Sequence, residues 1–178
     1  DQGSLRETGN AYDLAIEGDG FFPVRMTNRA GVDTIRYTRN GNFKLTTDGY
    51  VVDVDGNHLQ SESGDLIVPT NVAEITINPQ GYVYADGALI DRVVLADFED
   101  YDYLAKFNDC YYTALDGATE KQATATLRQG YTEQSNVNVV SEMVKMITVT
   151  RAYEAGQKMI QTEDDIMRQA ATSVGSVG

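Results

Sequence analysis

The spacing of apolar residues changes near Asn138, and this change limits the fold more than any other feature of the chain. Between Thr34 and Gln60, apolar side chains tend to recur at every second position, as they do in a strand with one buried face. From Asn138 onward they recur alternately four and three residues apart. That mean period of ~3.5 residues is typical of a helix that pairs with another helix. The sequence therefore predicts a mainly β fold: an antiparallel β-rich domain, over about residues 10–125, followed by one long C-terminal α-helix.

Glycine dipeptides divide the β-rich part into short strands. Asn40-Gly41, Asp48-Gly49 and Asp55-Gly56 accept the positive φ that tight hairpin turns require. We therefore predict a β-meander over residues 34–60, and an earlier hairpin in "DLAIEGDGFFPV" that turns at Gly18–Gly20. The buried face of the meander is predicted to carry Ile35, Tyr37, Phe43, Leu45, Tyr50, Val52 and Val54.

Further strands are predicted after the meander. They cover Glu74–Ile77, Tyr82–Tyr84 and Asp91–Phe98, with turns at "NPQG" and "ADG" between them. The segment "YDYLAKF" is predicted as one helical turn.

The helix is predicted over Asn138–Ala171 and would be ~50 Å long at ~1.5 Å per residue. Its apolar seam is narrow and is interrupted by polar residues, which favours pairing with another helix over packing back on its own domain. The side chains of this seam that are predicted to contact the other helix are Val139, Met143, Met146, Tyr153, Ile160 and Met167.

Composition and charge exclude several classes of function. The net charge of −13 repels the phosphates of nucleic acids and of anionic membranes, so neither is an expected partner. No apolar run approaches the ~20 residues of a transmembrane helix, so membrane insertion is not expected. Because Cys110 is the only cysteine, the chain can form neither an internal disulfide nor a cysteine metal cluster. Cys110 is expected to be a small buried hydrophobe.

No catalytic, cofactor-binding or metal-binding residue is predicted, and no small-molecule substrate is expected. His58 is the only histidine, and its place after the Asp55-Gly56 turn predicts an exposed turn residue rather than a catalytic base. The "DVDGN" segment at Asp53–Asn57 has its glycine misplaced for a calcium loop, so a plain hairpin is expected. A cell-wall glycan-active enzyme is the remote alternative. The 27 acidic residues must place some carboxylates close together, but that alone is no argument for glycosidase chemistry, which needs a cleft and a raised pKa. An adhesin or cap-like binding module would share the β domain but would not need the helix.

Three blocks of sequence carry a resemblance to a known family. They are "TGNAYDLAIEGDGFF" at residues 8–22, "YTRNGNFKLTTDGYVVDVDGN" at residues 37–57, and "LRQGYTEQSNVNVVSEMVKMI…RAYEAGQKMIQTEDDIM" within residues 127–167. In this order they resemble the bacterial flagellar rod and hook proteins. The short middle region and the "RAYE…TEDDIM" ending are most similar to the distal rod subunits, with proximal rod and hook subunits as alternatives.

The resemblance implies a structural subunit without an active site. Its residues 1–130 would be the β-rich outer domain of the rod and hook type, and residues 131–178 the helical segment of the inner core layer. Subunits of this family form a helical tube around the export channel, in which N- and C-terminal helices pair. The N-terminal helix motif of the family is not found in this sequence, so the chain is expected to be a fragment that lacks that helix. The implied partners are further copies and adjacent rod and hook subunits, and the resemblance implies that the apolar seam of the helix is an assembly interface. The implied location is the flagellar basal body outside the cytoplasmic membrane, reached without a cleaved signal peptide.

Overall fold

The computed structural model of the chain describes residues 3–28, 30–108, 110–134 and 139–175. Within the last range, side chains are described for residues 143–163 and 166–168. The chain divides into two compact units, Asp1–Gln134 and Ser135–Gly178. In the described ranges the first unit consists of strands and one 3-10 turn, and the second of a single helix.

The strands of the first unit are short. In chain order they are β1 (Leu5–Glu7), β2 (Leu14–Glu17), β3 (Phe22–Thr27), β4 (Asp33–Thr38), β5 (Lys44–Leu45), β6 (Val51–Val52), β7 (His58–Ser61), β8 (Gly64–Asp65), β9 (Ile75–Ile77), β10 (Tyr82–Ala85), β11 (Ala88–Arg92), β12 (Ala96–Phe98), β13 (Leu104–Phe107), β14 (Tyr111–Ala114), β15 (Glu120–Gln122), β16 (Thr126–Gln129) and β17 (Tyr131–Glu133). The 3-10 turn is Tyr101–Tyr103 and the helix, α1, is Val139–Gly175.

One large sheet organises the first unit. Its strand order is β13-β14-β4-β3-β7-β6-β5, and β8 pairs with β7. A three-stranded sheet β11-β10-β9 and the strand pairs β12–β15, β16–β2 and β1–β17 complete the unit. Every strand pairing in the described residues is antiparallel. The predicted mainly β, antiparallel fold with one long helix after it is therefore confirmed.

Strand β3 separates two apolar cores. Phe22 is fully buried in the larger core, where its ring meets Phe43 edge-on at 5.2 Å. Phe21, the preceding residue, lies in a smaller core, with its ring 6.4 Å from that of Phe98. Because successive side chains along an extended strand point to opposite faces, two adjacent phenylalanines can belong to two different cores.

The predicted hairpin over "DLAIEGDGFFPV" is wrong. Strand β2 pairs with β16, whereas β3 pairs with β4 and β7. Gly18 and Gly20 do have positive φ, of 114° and 142°. They carry the chain from one sheet to another instead of reversing it, and Phe21 forms a bridge with Ala96 at the crossing.

The predicted meander is confirmed for two of its three turns. Strands β5, β6 and β7 pair consecutively, and Gly49 and Gly56 have φ of 87° and 88° in the turns between them. The first turn is not a hairpin, because β4 pairs with β3 and β14 and not with β5. Gly41 lies between β4 and β5, and its φ is not positive.

The predicted buried face of the meander is right only in part. Phe43 and Val52 are buried, whereas Ile35 and Val54 are exposed. Val51, on the opposite face of β6, is buried as well. Its amide donates to the carbonyl of Leu66, and the side chains of both residues belong to the larger core.

The later predictions match the structure with two changes. Strands β9 and β10 lie where the sequence predicts them, but Asp91–Phe98 is divided between β11 and β12. Val93 bridges to Ser61 at the break, where the chain passes to another sheet. "YDYLAKF" is one 3-10 turn followed by strand β13. Helix α1 covers Val139–Gly175, whereas the sequence predicts Asn138–Ala171, and Asn138 lies outside the described residues.

Candidate assembly surface

Helix α1 presents a row of large apolar side chains along its described length. Met143, Met146, Tyr153, Ile160 and Met167 are 60%, 71%, 68%, 62% and 74% exposed. Their spacing of three or seven residues places them along one side of the helix. Val139, the sixth predicted member, is the first residue of α1, and its side chain lies outside the described ones. The structure thus places the predicted seam on a helix, and its role in assembly stays a prediction.

A second apolar row lies on another side of α1 and is not part of the predicted seam. Met159 and Ile166 are 71% and 60% exposed, and they are seven residues apart. At ~100° per residue they lie roughly 100–150° around the helix from Ile160 and Met146. Ala152 and Lys145, seven and fourteen residues before Met159, are at the matching heptad positions, so the large apolar part of this row is short. This row has no 3.5-residue repeat of large apolar residues, so the sequence pattern did not single it out.

Three threonines of α1 form hydrogen bonds from their hydroxyl groups to the main chain of the same helix. The hydroxyls of Thr148, Thr150 and Thr162 donate to carbonyls four residues earlier, at 2.9, 2.9 and 2.8 Å. This bonding lets polar β-branched residues stand between apolar ones without an unpaired donor. The apolar rows can therefore be covered by a neighbour without leaving these hydroxyls unsatisfied.

A ribbon of two strands ends the first unit. Leu5 pairs with Glu133, and Glu7 pairs with Tyr131. The amide of Gln134 donates to the carbonyl of Ser4 at 2.9 Å, one step further along the ribbon. The ribbon therefore brings the beginning of the unit beside the strand that continues toward the helix.

His58 is not an exposed turn residue, and the prediction about it is wrong. It begins strand β7 and is half-buried, with its ring 4.6 Å from that of Tyr50. Its Nδ1 lies 3.0 Å from Oδ2 of Asp65, and Arg25 bonds to the same carboxylate through two nitrogens. The bonds from Arg25 hold the pKa of Asp65 at about 2, against the opposing effect of burial. The carboxylate is therefore ionised and paired, and this arrangement ties β3 to β7 and β8.

The "DVDGN" segment forms a hydrogen-bonded turn around a buried tyrosine. Oδ1 of Asp53 accepts from the amides of Asp55 and Asn57, at 3.0 and 2.9 Å. The hydroxyl of Tyr111 lies 2.8 Å from Oδ2 of Asp53 and 2.6 Å from Oδ2 of Asp55. Burial, together with these carboxylates, raises the pKa of Tyr111. Among the described residues, no group of three or more His, Cys, Asp or Glu side chains is arranged to hold a metal ion.

A shallow groove of about 250 Å3 lies in the first unit. Its charged lining residues are Glu62 and Arg92, which bond to each other at 3.0 Å. A glycosidase needs two carboxylates on either side of its substrate, and this groove supplies one, already paired with an arginine. Cys110, which the sequence predicts to be buried, is half-buried and packs against the larger core. No helix within the described residues is long and apolar enough to cross a membrane.

Two family models match the chain in the same order as its two units. Residues 15–85 match the model described as flagellar hook protein FlgE/F/G D1 domain. Residues 128–173, which include most of the helix, match the model described as flagellar basal body rod FlgEFG protein C-terminal. Both matches define the class of flagellar rod and hook proteins.

Individual relatives narrow this class. The flagellar basal-body rod protein FlgF of Caulobacter vibrioides is 32% identical over 99% of this chain and 71% of its own length. FlgG of the same organism is 34% identical over 94% of this chain and 66% of its own length. FlgG of Bacillus subtilis is 31% identical, over 93% and 66% respectively. The chain belongs to the flagellar basal-body rod protein family, and it spans about two thirds of the length of these relatives.

Proposed function

We propose that the chain is a structural subunit of the flagellar rod that assembles with copies of itself into a helical tube. The observation that carries this proposal is the exposed apolar seam on α1, in a chain of the rod protein family. Removal of one such side chain from water contributes about 1.5–3 kcal/mol, so covering the seam in a polymer would give a strong driving force. The tube would surround the export channel and transmit torque.

Within this proposal two segments of the chain have different places in the tube. Residues 1–130 would form the outer layer of the tube, and residues 131–178 would form the inner core layer. Adjacent rod and hook subunits would be the other partners. The subunit would act without catalysis, cofactor or small-molecule substrate, in the basal body outside the cytoplasmic membrane, and would be exported without a cleaved signal peptide.

We further propose that it is a distal rod subunit. The "RAYE…TEDDIM" ending supports this assignment, and the 34% identity to a FlgG protein is compatible with it. The proximal rod is the alternative, because a FlgF protein is 32% identical over nearly the whole chain. Labelled antibodies on purified hook–basal bodies would separate the two. Labelling next to the hook supports the distal rod, and labelling at the inner-membrane end supports the proximal rod.

The seam is tested by placing charge in it. Met143→Asp with Met146→Asp should abolish rod assembly and swimming in the bacterium that produces the chain, because two carboxylates cannot be buried without large cost. The melting temperature of the β unit should stay within about 5 °C, since neither residue belongs to its core.

The matched control keeps the seam apolar. Met143→Leu with Met146→Leu should assemble and swim, because both substitutions preserve the apolar area of the seam. Normal assembly of the aspartate variant would refute the seam as an interface. Unfolding of the β unit in that variant would show instead that the helix is ordinary core.

A further inference from the structure

A single carboxylate at the end of β17 bonds both to Gly3, which precedes β1, and to Arg39, which follows β4. Nε of Arg39 lies 3.0 Å from Oε2 of Glu133, the last residue of β17. Oε1 of the same carboxylate accepts from the amide of Gly3, at 2.9 Å. Among the described residues, this is the only ion pair that joins the ribbon to the rest of the unit.

The guanidinium of Arg39 is anchored on its other side as well. Nη1 donates to the carbonyl of Gly20 and Nη2 to that of Gly18, each at 3.1 Å. The positive φ of both glycines allows this loop to follow its tight path past Ala125 and Ala96. A planar fork of donors can reach two carbonyls and one carboxylate at once, which the point charge of a lysine cannot do.

The ribbon has little else to fix its position. Of its six residues only Thr132 is buried, and a two-stranded ribbon is marginally stable by itself. Main-chain bonds near Gly130 hold its inner end, where the amide of Gly130 donates to the carbonyl of Asp13. At the outer end the side chain of Glu133 is 14% exposed and that of Arg39 is 27% exposed. A pair removed from water to this degree is costly to break, because the remaining partner keeps an uncompensated charge.

The pair also joins the two parts of the chain that the family models match. Arg39 lies in the segment matched by the D1 model, and Glu133 lies in the segment matched by the rod C-terminal model. Glu133 is six residues before Val139, the first residue of α1. The contact therefore lies at the end of the β unit, close in sequence to the helix.

We infer that Arg39 is a positioning residue for rod assembly, acting through Glu133. By fixing the end of β17, it holds the last described residues of the β unit in one position. This inference rests on the proposed function, because it assigns the pair a role in a polymer in which both units must meet their neighbours at once. Arg39 itself need not touch another subunit.

Two substitutions test the inference in the flagellar gene of the producing bacterium. Arg39→Gln removes the charge and part of the fork, and Glu133→Gln removes the charge while keeping an oxygen for the amide of Gly3. Both should reduce the number of complete rods among purified basal bodies. In the purified chains, amide hydrogen exchange at residues 5–7 and 131–133 should become about tenfold faster or more, while exchange in β3 stays unchanged.

Controls separate positioning from stability. Arg92→Gln breaks the pair of Arg92 with Glu62, which has the same 3.0 Å separation but lies outside the ribbon, and it should leave assembly and ribbon exchange unchanged. Arg39→Lys keeps the charge next to Glu133 and should recover assembly in part. The melting temperature of the β unit should fall by at most about 5 °C in the Arg39 and Glu133 variants.

The outcomes decide between three conclusions. Normal assembly of Arg39→Gln, or unchanged exchange in its ribbon, overturns the inference. Loss of assembly together with unfolding of the whole β unit also overturns it, because Arg39 would then only stabilise the fold. The aspartate variant of Met143 and Met146 is measured in parallel. If the aspartate variant of Met143 and Met146 assembles, the proposed function fails. If the aspartate variant does not assemble but the Arg39 and Glu133 variants do, this inference alone fails.

Discussion

Gly41 lies directly against the main chain of Leu14. The amide of Leu14 donates to the carbonyl of Gly41 at 2.9 Å, and a Cβ on Gly41 would come within 1.6 Å of the carbonyl oxygen of Leu14. The ring of Phe22 would be 3.2 Å from the same Cβ. The glycine is thus required by the close approach of two main-chain segments, and its φ plays no part.

Gly41→Ala should therefore destabilise the β unit strongly. One of the two segments would have to move away, and the core around Phe22 would move with it, so we expect a loss of more than about 3 kcal/mol in the free energy of unfolding. Urea denaturation of the purified chain measures this loss. Gly56→Ala is the control, since Gly56 has open space around it and a positive φ, and should cost only about 1–2 kcal/mol. Equal losses in the two variants would contradict the close-packing explanation.

Local sequence patterns predicted where the strands lie better than they predicted which strands pair with each other. The dipeptides at Asp48-Gly49 and Asp55-Gly56 specify their hairpins because neighbouring strands can pair across them without help from the rest of the chain. The Gly18–Gly20 segment has the same composition, yet β2 on one side of it pairs with β16 from the far end of the unit. A glycine-rich turn allows a reversal and a crossing alike, so only long-range packing decides between them.

Acid should weaken the fold through Asp65. Its folded-state pKa is about 2, because Arg25 and Gln60 donate to the carboxylate, whereas the pKa of an unfolded aspartate is ~3.9. A lowered folded-state pKa adds stability that is complete above the unfolded value and is lost as pH falls toward the folded one. Relative to Asp65→Asn, the native chain should be more stable by about 2 kcal/mol at pH 7, and this difference should shrink between pH ~5 and ~2.

Urea denaturation of both chains at several pH values measures this difference. Asp116→Asn, at an exposed position, controls for the change in net charge. A difference between the native chain and Asp65→Asn that does not change with pH would show that the carboxylate contributes by shape and not by charge.

The sequence predicted the part of the candidate site that follows a periodic pattern. The seam through Met143 and Ile160 follows from a 3.5-residue repeat, which needs no knowledge of the rest of the fold. Arg39 and Glu133 belong to no repeat, and their contact exists only because the residue after β4 and the end of β17 lie close together in the folded unit. No spacing rule joins two polar residues so far apart in sequence.

Gln129 should be essential for closing the edge of the β11-β10-β9 sheet. Its Oε1 accepts from the amide of Ile77 at 3.0 Å, and its Nε2 donates to the carbonyls of Ile75 and Ala11, both at 2.9 Å. The side-chain amide thus takes the place of a neighbouring strand along the free edge of β9. Gln129→Glu keeps the shape but has no donor, and sets a negative charge against two carbonyl oxygens. We expect a loss of about 2–3 kcal/mol in the free energy of unfolding and faster hydrogen exchange at the amides of β9.

Gln122→Glu makes the same chemical change at an exposed position of β15 and should cost less than about 0.5 kcal/mol. Because the two variants have the same net charge, equal stabilities would mean that the amide of Gln129 does not hold the edge of β9.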